Sequence, residues 1–135
     1  MTDYMPRMHV ENFGPIENCV IKLEHFTIFT GPQASGKSTL ARLIYFFEMS
    51  REVIVALSNR EEIDWLFELE KILRNRFQQV FGNVSLYAEK MMVRYEIFAT
   101  EWIKITQGEH PQSGASTIVF DFSDSIKRGK ILKWC

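Results

Sequence analysis

Cysteine is scarce in this chain: only Cys19 and Cys135 occur in 135 residues. Two thiols make neither a disulfide framework nor a zinc site, so they read as a strand thiol and a chain-end thiol of a reducing, cytoplasmic setting. A charge excess is also lacking. Sixteen basic and 17 acidic side chains leave a formal charge of −1. Overall charge therefore points to no nucleic-acid partner, although a local basic patch is compatible with it. No apolar run approaches the ~20 residues of a membrane span. Residues 1–7 lack the basic-then-apolar pattern of a signal peptide. His9, His25 and His110 are scattered, which suits strand-edge or loop positions better than a metal or catalytic role. There is no internal repeat and no low-complexity segment. What is present is a globular composition, 46% hydrophobic and 24% charged, read as one domain over residues 1–135.

One stretch organises that domain. Gly31-Pro32-Gln33-Ala34-Ser35-Gly36-Lys37-Ser38-Thr39 fits the pattern G-x-x-x-x-G-K-[ST] of a phosphate-binding loop. Chance would supply such a match in on the order of one in two hundred chains of this length. Phe26-Thr27-Ile28-Phe29-Thr30 before it reads as a buried strand, and Leu40 to Phe47 after it is apolar at helical spacing. Strand, glycine loop and helix are the context the motif requires. Such a loop turns successive backbone N–H groups into one concavity for anionic oxygens. Gly31 and Gly36 permit the close approach, and the helix N-terminus adds unpaired N–H groups and a positive dipole end. Lys37 would supply a mobile charge to the β- and γ-phosphates, and Thr39 would reach the α-phosphate. Ser38 would offer a hydroxyl to magnesium, which prefers oxygen ligands and keeps much of its water. The expected ligands are thus ATP and Mg2+.

The rest of the chain reads around this loop. Arg7 to Phe13 and Ile16 to Glu24 form a hairpin about Gly14-Pro15, with Ile16, Val20, Ile21 and Leu23 expected to be buried. A first helix should run from about Lys37 through Met49, either breaking at Ser50-Arg51-Glu52 or continuing through Leu57. Asn59 and Glu62 resemble a capping box for a second helix. That helix would place Ile63, Leu66, Phe67, Ile72, Leu73, Phe77 and Val80 near one face and end at Gly82. From Val84 the period becomes two. Met91 to Phe98 and Trp102 to Thr106 read as an antiparallel hairpin. Gly108 to Gly114 reads as a loop, Thr117 to Phe122 as a further strand, and Ser123 to Cys135 as the start of a helix or a frayed end. The fold class is α/β, with a mixed or antiparallel sheet packed on two helices.

Val10-Glu11-Asn12-Phe13-Gly14-Pro15-Ile16, followed by a strand and then by Phe26 through Leu40, resembles the opening of ABC-type ATPases of the SMC, RecF and overcoming-lysogenisation-defect group. The likeness is strongest over residues 8 to 47. It implies the N-terminal lobe of a P-loop NTPase, with an AAA-like ATP-binding role, a homodimer formed around ATP, and DNA as a partner of the full-length protein in repair or defence. It implies no membrane. Two positions depart from the pattern. Gln33 stands where asparagine is common, and Gly14 where several members carry a basic residue near the phosphates. The signature sequence of the Leu-Ser-Gly-Gly kind, the Walker B Asp-Glu pair and the switch histidine of the second lobe are not evident. ATP hydrolysis is accordingly expected only when that lobe is supplied.

Two other functions fit the residues. One is a compact stand-alone kinase or NTPase in which Thr117-Ile118-Val119-Phe120-Asp121 is a Walker B strand and Asp121 helps hold magnesium. Against it, alternating strands precede Asp121 where a parallel sheet needs crossover helices. The other is a non-catalytic module that binds ATP only to assemble. Trp65, Trp102 and Trp134 read as core or rim residues. Arg51, Arg60, Lys71, Arg74 and Arg76 read as a solvated helix face or, alternatively, as a stripe touching a phosphate backbone.

Overall fold

A computed structural model describes residues 6–23, 34–58, 65–82, 90–98, 100–109 and 116–128. In chain order the elements are β1 (Arg7–Phe13), β2 (Ile16–Lys22), α1 (Ala34–Ser58), α2 (Trp65–Phe81), β3 (Met92–Phe98), β4 (Glu101–Glu109), β5 (Ser116–Phe122) and the short α3 (Asp124–Lys127). The five strands form one sheet of order β2-β1-β3-β4-β5, and every pairing is antiparallel. The expected loop strand Phe26–Thr30, the cap at Asn59, and Trp134 and Cys135 lie outside the described residues.

Period-two alternation builds one apolar face of the sheet. Met8 and Val10 on β1, Val93, Tyr95 and Ile97 on β3, Ile103 and Ile105 on β4, and Ile118, Phe120 and Phe122 on β5 are all buried. The two long helices cover this face. On α1, Leu43, Phe46, Phe47, Ser50, Ile54 and Leu57 recur at helical spacing and are buried; Leu69, Leu73 and Phe77 do the same on α2. Buried Ser50 keeps its hydroxyl satisfied by donating to the Phe46 carbonyl at 2.8 Å. Aromatic rings join the layers. Phe47 stacks on Tyr95 at 4.7 Å, while Phe46 and Phe77 each lie 6.5 Å from Phe120.

Two backbone features shape the hairpin that precedes the loop. Regular alternation after Val10 would send Asn12 inward. Instead Asn12 takes φ 51°, and Phe13 turns into the core against Phe77 and Phe81 at 6.1 and 5.2 Å. Asparagine tolerates that left-handed conformation better than most residues. Its Nδ2 also donates to the Lys90 carbonyl at 3.3 Å. Gly14 follows at φ 55° in the two-residue turn.

Several expectations need correction. The first helix takes the longer of its two expected courses, unbroken through Ser50 to Ser58, but it begins at Ala34, ahead of the expected start at Lys37. Val20 is 64% exposed, because β2 is an end strand among the described strands and Val20 pairs with His9 on the sheet face away from the helices. Phe67 is 61% exposed: two residues from Leu69, it stands about 200° round the helix from the buried stripe. Gly108 and Glu109 extend β4 rather than opening a loop. A β-carbon at Gly108 would meet Val119 Cγ2 at 2.9 Å, so glycine serves the close approach of β5. Gly82 ends α2 as expected, at φ 77°, with its N–H donating to the Gln78 carbonyl at 2.7 Å.

Candidate functional site

The start of α1 carries the second half of the glycine-lysine motif. Ala34, Ser35, Gly36, Lys37, Ser38 and Thr39 occupy the first turns of the helix, and Gly31, Pro32 and Gln33 lie outside the described residues. A helix leaves its first four N–H groups without intrahelical partners, and its N-terminus carries partial positive charge. No acidic residue lies in the first turn of α1 to neutralise that end. Ser38 is exposed, while Lys37 and Thr39 are half-buried. This end of the helix is thus disposed to receive an anion, with one hydroxyl in open reach.

The β1–β2 turn closes on the same place. A β-carbon built on Gly14 would lie 3.9 Å from Thr39 Cγ2 and Oγ1. The position that reads as a departure from the family pattern therefore sits beside the last residue of the loop motif. The core fixes this arrangement from behind, because Phe13, next to Gly14, is wholly buried against α2. Pattern reading finds a turn at Gly14-Pro15; that the turn abuts Thr39 depends on strand pairing, which has no local signal.

Asp121 stands elsewhere. Its neighbours Phe120 and Phe122 face the helices, so Asp121 lies on the other face of β5, away from α1. There it accepts from the Phe122 N–H at 2.9 Å and pairs with Lys127 Nζ at 3.5 Å. Of the helix-stripe cations, Arg51, Arg74 and Arg76 are engaged within the chain, Lys71 is exposed, and Arg60 lies outside the described residues. Arg74 donates to Thr117 Oγ1 at 3.1 Å and to the Ile118 carbonyl at 2.5 Å, and its guanidinium lies 5.6 Å from the Phe120 ring centroid. Arg76 contacts Met49 Sδ at 3.0 Å, and Arg51 lies 4.0 Å from Glu48. Trp65 donates to the Ile126 carbonyl at 2.6 Å, a structural role. His9 Nε2 lies 3.1 Å from both Asn18 Oδ1 and Glu11 Oε1. Among the described residues, no group of three or more His, Cys, Asp or Glu side chains is placed to hold a metal ion. Among the described residues, no helix is long and apolar enough to cross a membrane.

An antiparallel five-strand sheet with its helices on one face, and a long helix opening on Gly-Lys-Ser-Thr, define an α/β protein whose candidate site is a helix N-terminus. A family described as AAA ATPase domain matches residues 4–118, most of the chain. The protein belongs to that family, one of ATP-binding ATPase domains. Comparison with curated proteins and with solved structures gives no match.

Proposed function

We propose that this chain is the N-terminal, ATP-binding lobe of an SMC- or RecF-like ATPase, holding the phosphates of Mg-ATP through Gly31 to Thr39. One observation carries the reading: Gly36, Lys37, Ser38 and Thr39 open α1, with no acid in its first turn and with the Gly14 turn beside Thr39. Backbone N–H groups and the helix dipole would hold the phosphates, and Lys37 would add charge. Magnesium would be held mainly by phosphate and water, with the Ser38 hydroxyl as one protein ligand. The metal would supply charge neutralisation at the phosphates; the chain's own part is to bind and orient them. The resemblance adds dimerisation around ATP, DNA association of the full-length protein and a cytoplasmic setting to the proposal. The compact-NTPase alternative is disfavoured, because Asp121 is on the sheet face away from α1.

Calorimetry tests the assignment. ATP and ADP should bind and AMP poorly. Lys37→Ala removes a charge-assisted contact worth roughly 1.5–3 kcal/mol, or about one to two decades in affinity. Equal ATP affinity in wild type and Lys37→Ala would overturn it.

A further inference from the structure

The sheet face away from the helices carries like charges side by side. Arg94 on β3 and Lys104 on β4 are direct cross-strand partners, with His9 of β1 on the other side of Arg94. Nearer one end of the sheet, Arg7 of β1 stands between Lys22 of β2 and Glu96 of β3, and the Glu96 carboxylate turns to Arg94. Like charges placed directly opposite destabilise a sheet. The acids of this face do not relieve the repulsion evenly. Glu11 lies 3.1 Å from His9, Glu96 3.2 Å from Arg94, and Asp121 3.5 Å from Lys127. Asp121 is the cross-strand partner of Lys104, yet its ion pair is with Lys127. Arg7, Lys22 and Lys104 are left without an ion pair among the described residues. The Arg94 guanidinium lies over the Trp102 ring, 4.7 Å from its centroid, which keeps its charge close to the sheet.

We propose that this face binds the phosphodiester backbone of a nucleic acid, with Arg7, Lys22 and Lys104 as its contacts. The chain as a whole has a formal charge of −1, so the cationic strip is a local feature. Strands lie about 4.8 Å apart, so β2 to β4 spans roughly 14 Å. A strand of nucleic acid offers one charge per about 3.4 Å of axis, or about four phosphates over that width. An evenly charged polyanion can meet spaced cations on a flat sheet without itself folding, whereas an acidic peptide must place each carboxylate separately. The inference takes up the nucleic-acid part of the proposed function and gives it a surface. It does not depend on nucleotide, since α1 packs on the opposite face of the sheet.

The test is fluorescence anisotropy with labelled oligo(dT) and with its duplex, without ATP or magnesium, at several salt concentrations. Wild type should bind at about 50 mM salt and weaken steeply as salt rises. Binding of either probe supports the proposal, and the tighter probe identifies the form of nucleic acid. The triple variant Arg7→Gln, Lys22→Gln, Lys104→Gln should lose about tenfold or more in affinity. Its salt slope should fall by roughly two, given about 0.7 per phosphate contact on a single strand. Lys71→Gln, an exposed change on α2, should bind as wild type. The triple variant should unfold at the same temperature as wild type or higher, because repulsion is removed. No binding by wild type, equal binding by the triple variant, or a clearly lowered unfolding midpoint would each overturn the proposal. Because nucleotide is left out, failure of ATP binding in the calorimetric test does not affect these outcomes.

Discussion

Gly14 lies against Thr39, close enough that a β-carbon on the glycine would make an ordinary van der Waals contact at 3.9 Å. Space is therefore not what requires glycine; the backbone is, with φ 55°. An L-residue other than asparagine or aspartate strains there by about 1–2 kcal/mol. Gly14→Ala should lower the unfolding free energy, read from urea titration, by an amount in that range, and Gly14→Asn by less. An alanine variant as stable as wild type would show that the turn does not hold this conformation.

Magnesium provides a second check. Ser38→Ala should weaken the magnesium dependence of ATP binding more than it weakens metal-free nucleotide binding. Asp121→Asn should leave that dependence intact, since Asp121 faces away from α1. Titrations with and without magnesium decide between them. The reverse pattern would favour the compact NTPase.

Hydrolysis should be negligible in the isolated chain. Catalysis by a P-loop needs an oriented nucleophile and charge stabilisation around the transferred phosphoryl group. On the proposed reading the motif would supply phosphate contacts, but no residue in the sequence reads as the group that orients water. A phosphate-release assay should give turnover well below about 1 s⁻¹. Turnover at that rate, lost in Lys37→Ala, would make the chain a complete enzyme.

Alkaline stability should report on Tyr95. Its phenol is buried and donates to Glu48 Oε1 at 3.2 Å. Burial first, then the Glu48 carboxylate, pushes its pKa well above the ordinary value of 10.0. The folded state thus holds the proton more tightly than the unfolded state. This contribution is complete below about pH 10 and is lost as pH rises toward the raised folded value, by about 1.4 kcal/mol per pH unit. Tyr95→Phe removes it. The stability difference between wild type and Tyr95→Phe should therefore hold steady below about pH 10 and shrink above it. A difference that stays constant through that range would contradict the buried, protonated phenol.

Much of the architecture is legible in the sequence because local period governs it. The alternation of Val93, Tyr95, Ile97, Ile103 and Ile105 gives the β3–β4 hairpin, and the helical spacing gives Leu73 and Phe77 of the inner face of α2, though it takes Phe67 for that face and passes over buried Leu69. The misread details have non-local causes. Val20 is apolar, but its exposure follows from the end position of β2. Gly108 carries a turn signal, but pairing with Thr117 keeps it in β4. The placement of β1 between β2 and β3 joins segments some eighty residues apart, which no periodicity encodes. For the candidate site, the motif identifies Lys37, Ser38 and Thr39, whereas the proximity of Gly14 emerges only when the hairpin packs on the helices.

Phe120 has a consequence for how the chain acquires its structure. Its ring is approached by both Phe46 and Phe77, which stand on two different helices. Arg74 of α2 likewise finds its oxygen partners only on β5. During synthesis both helices emerge before β5, so Phe46 and Phe77 can meet each other and Phe77 can meet Phe13 of β1, but the Phe120 ring and the oxygens that Arg74 takes come later. Completion of the described core therefore waits on β5, and until it pairs with β4 the two helices are seated only on the strands made before it.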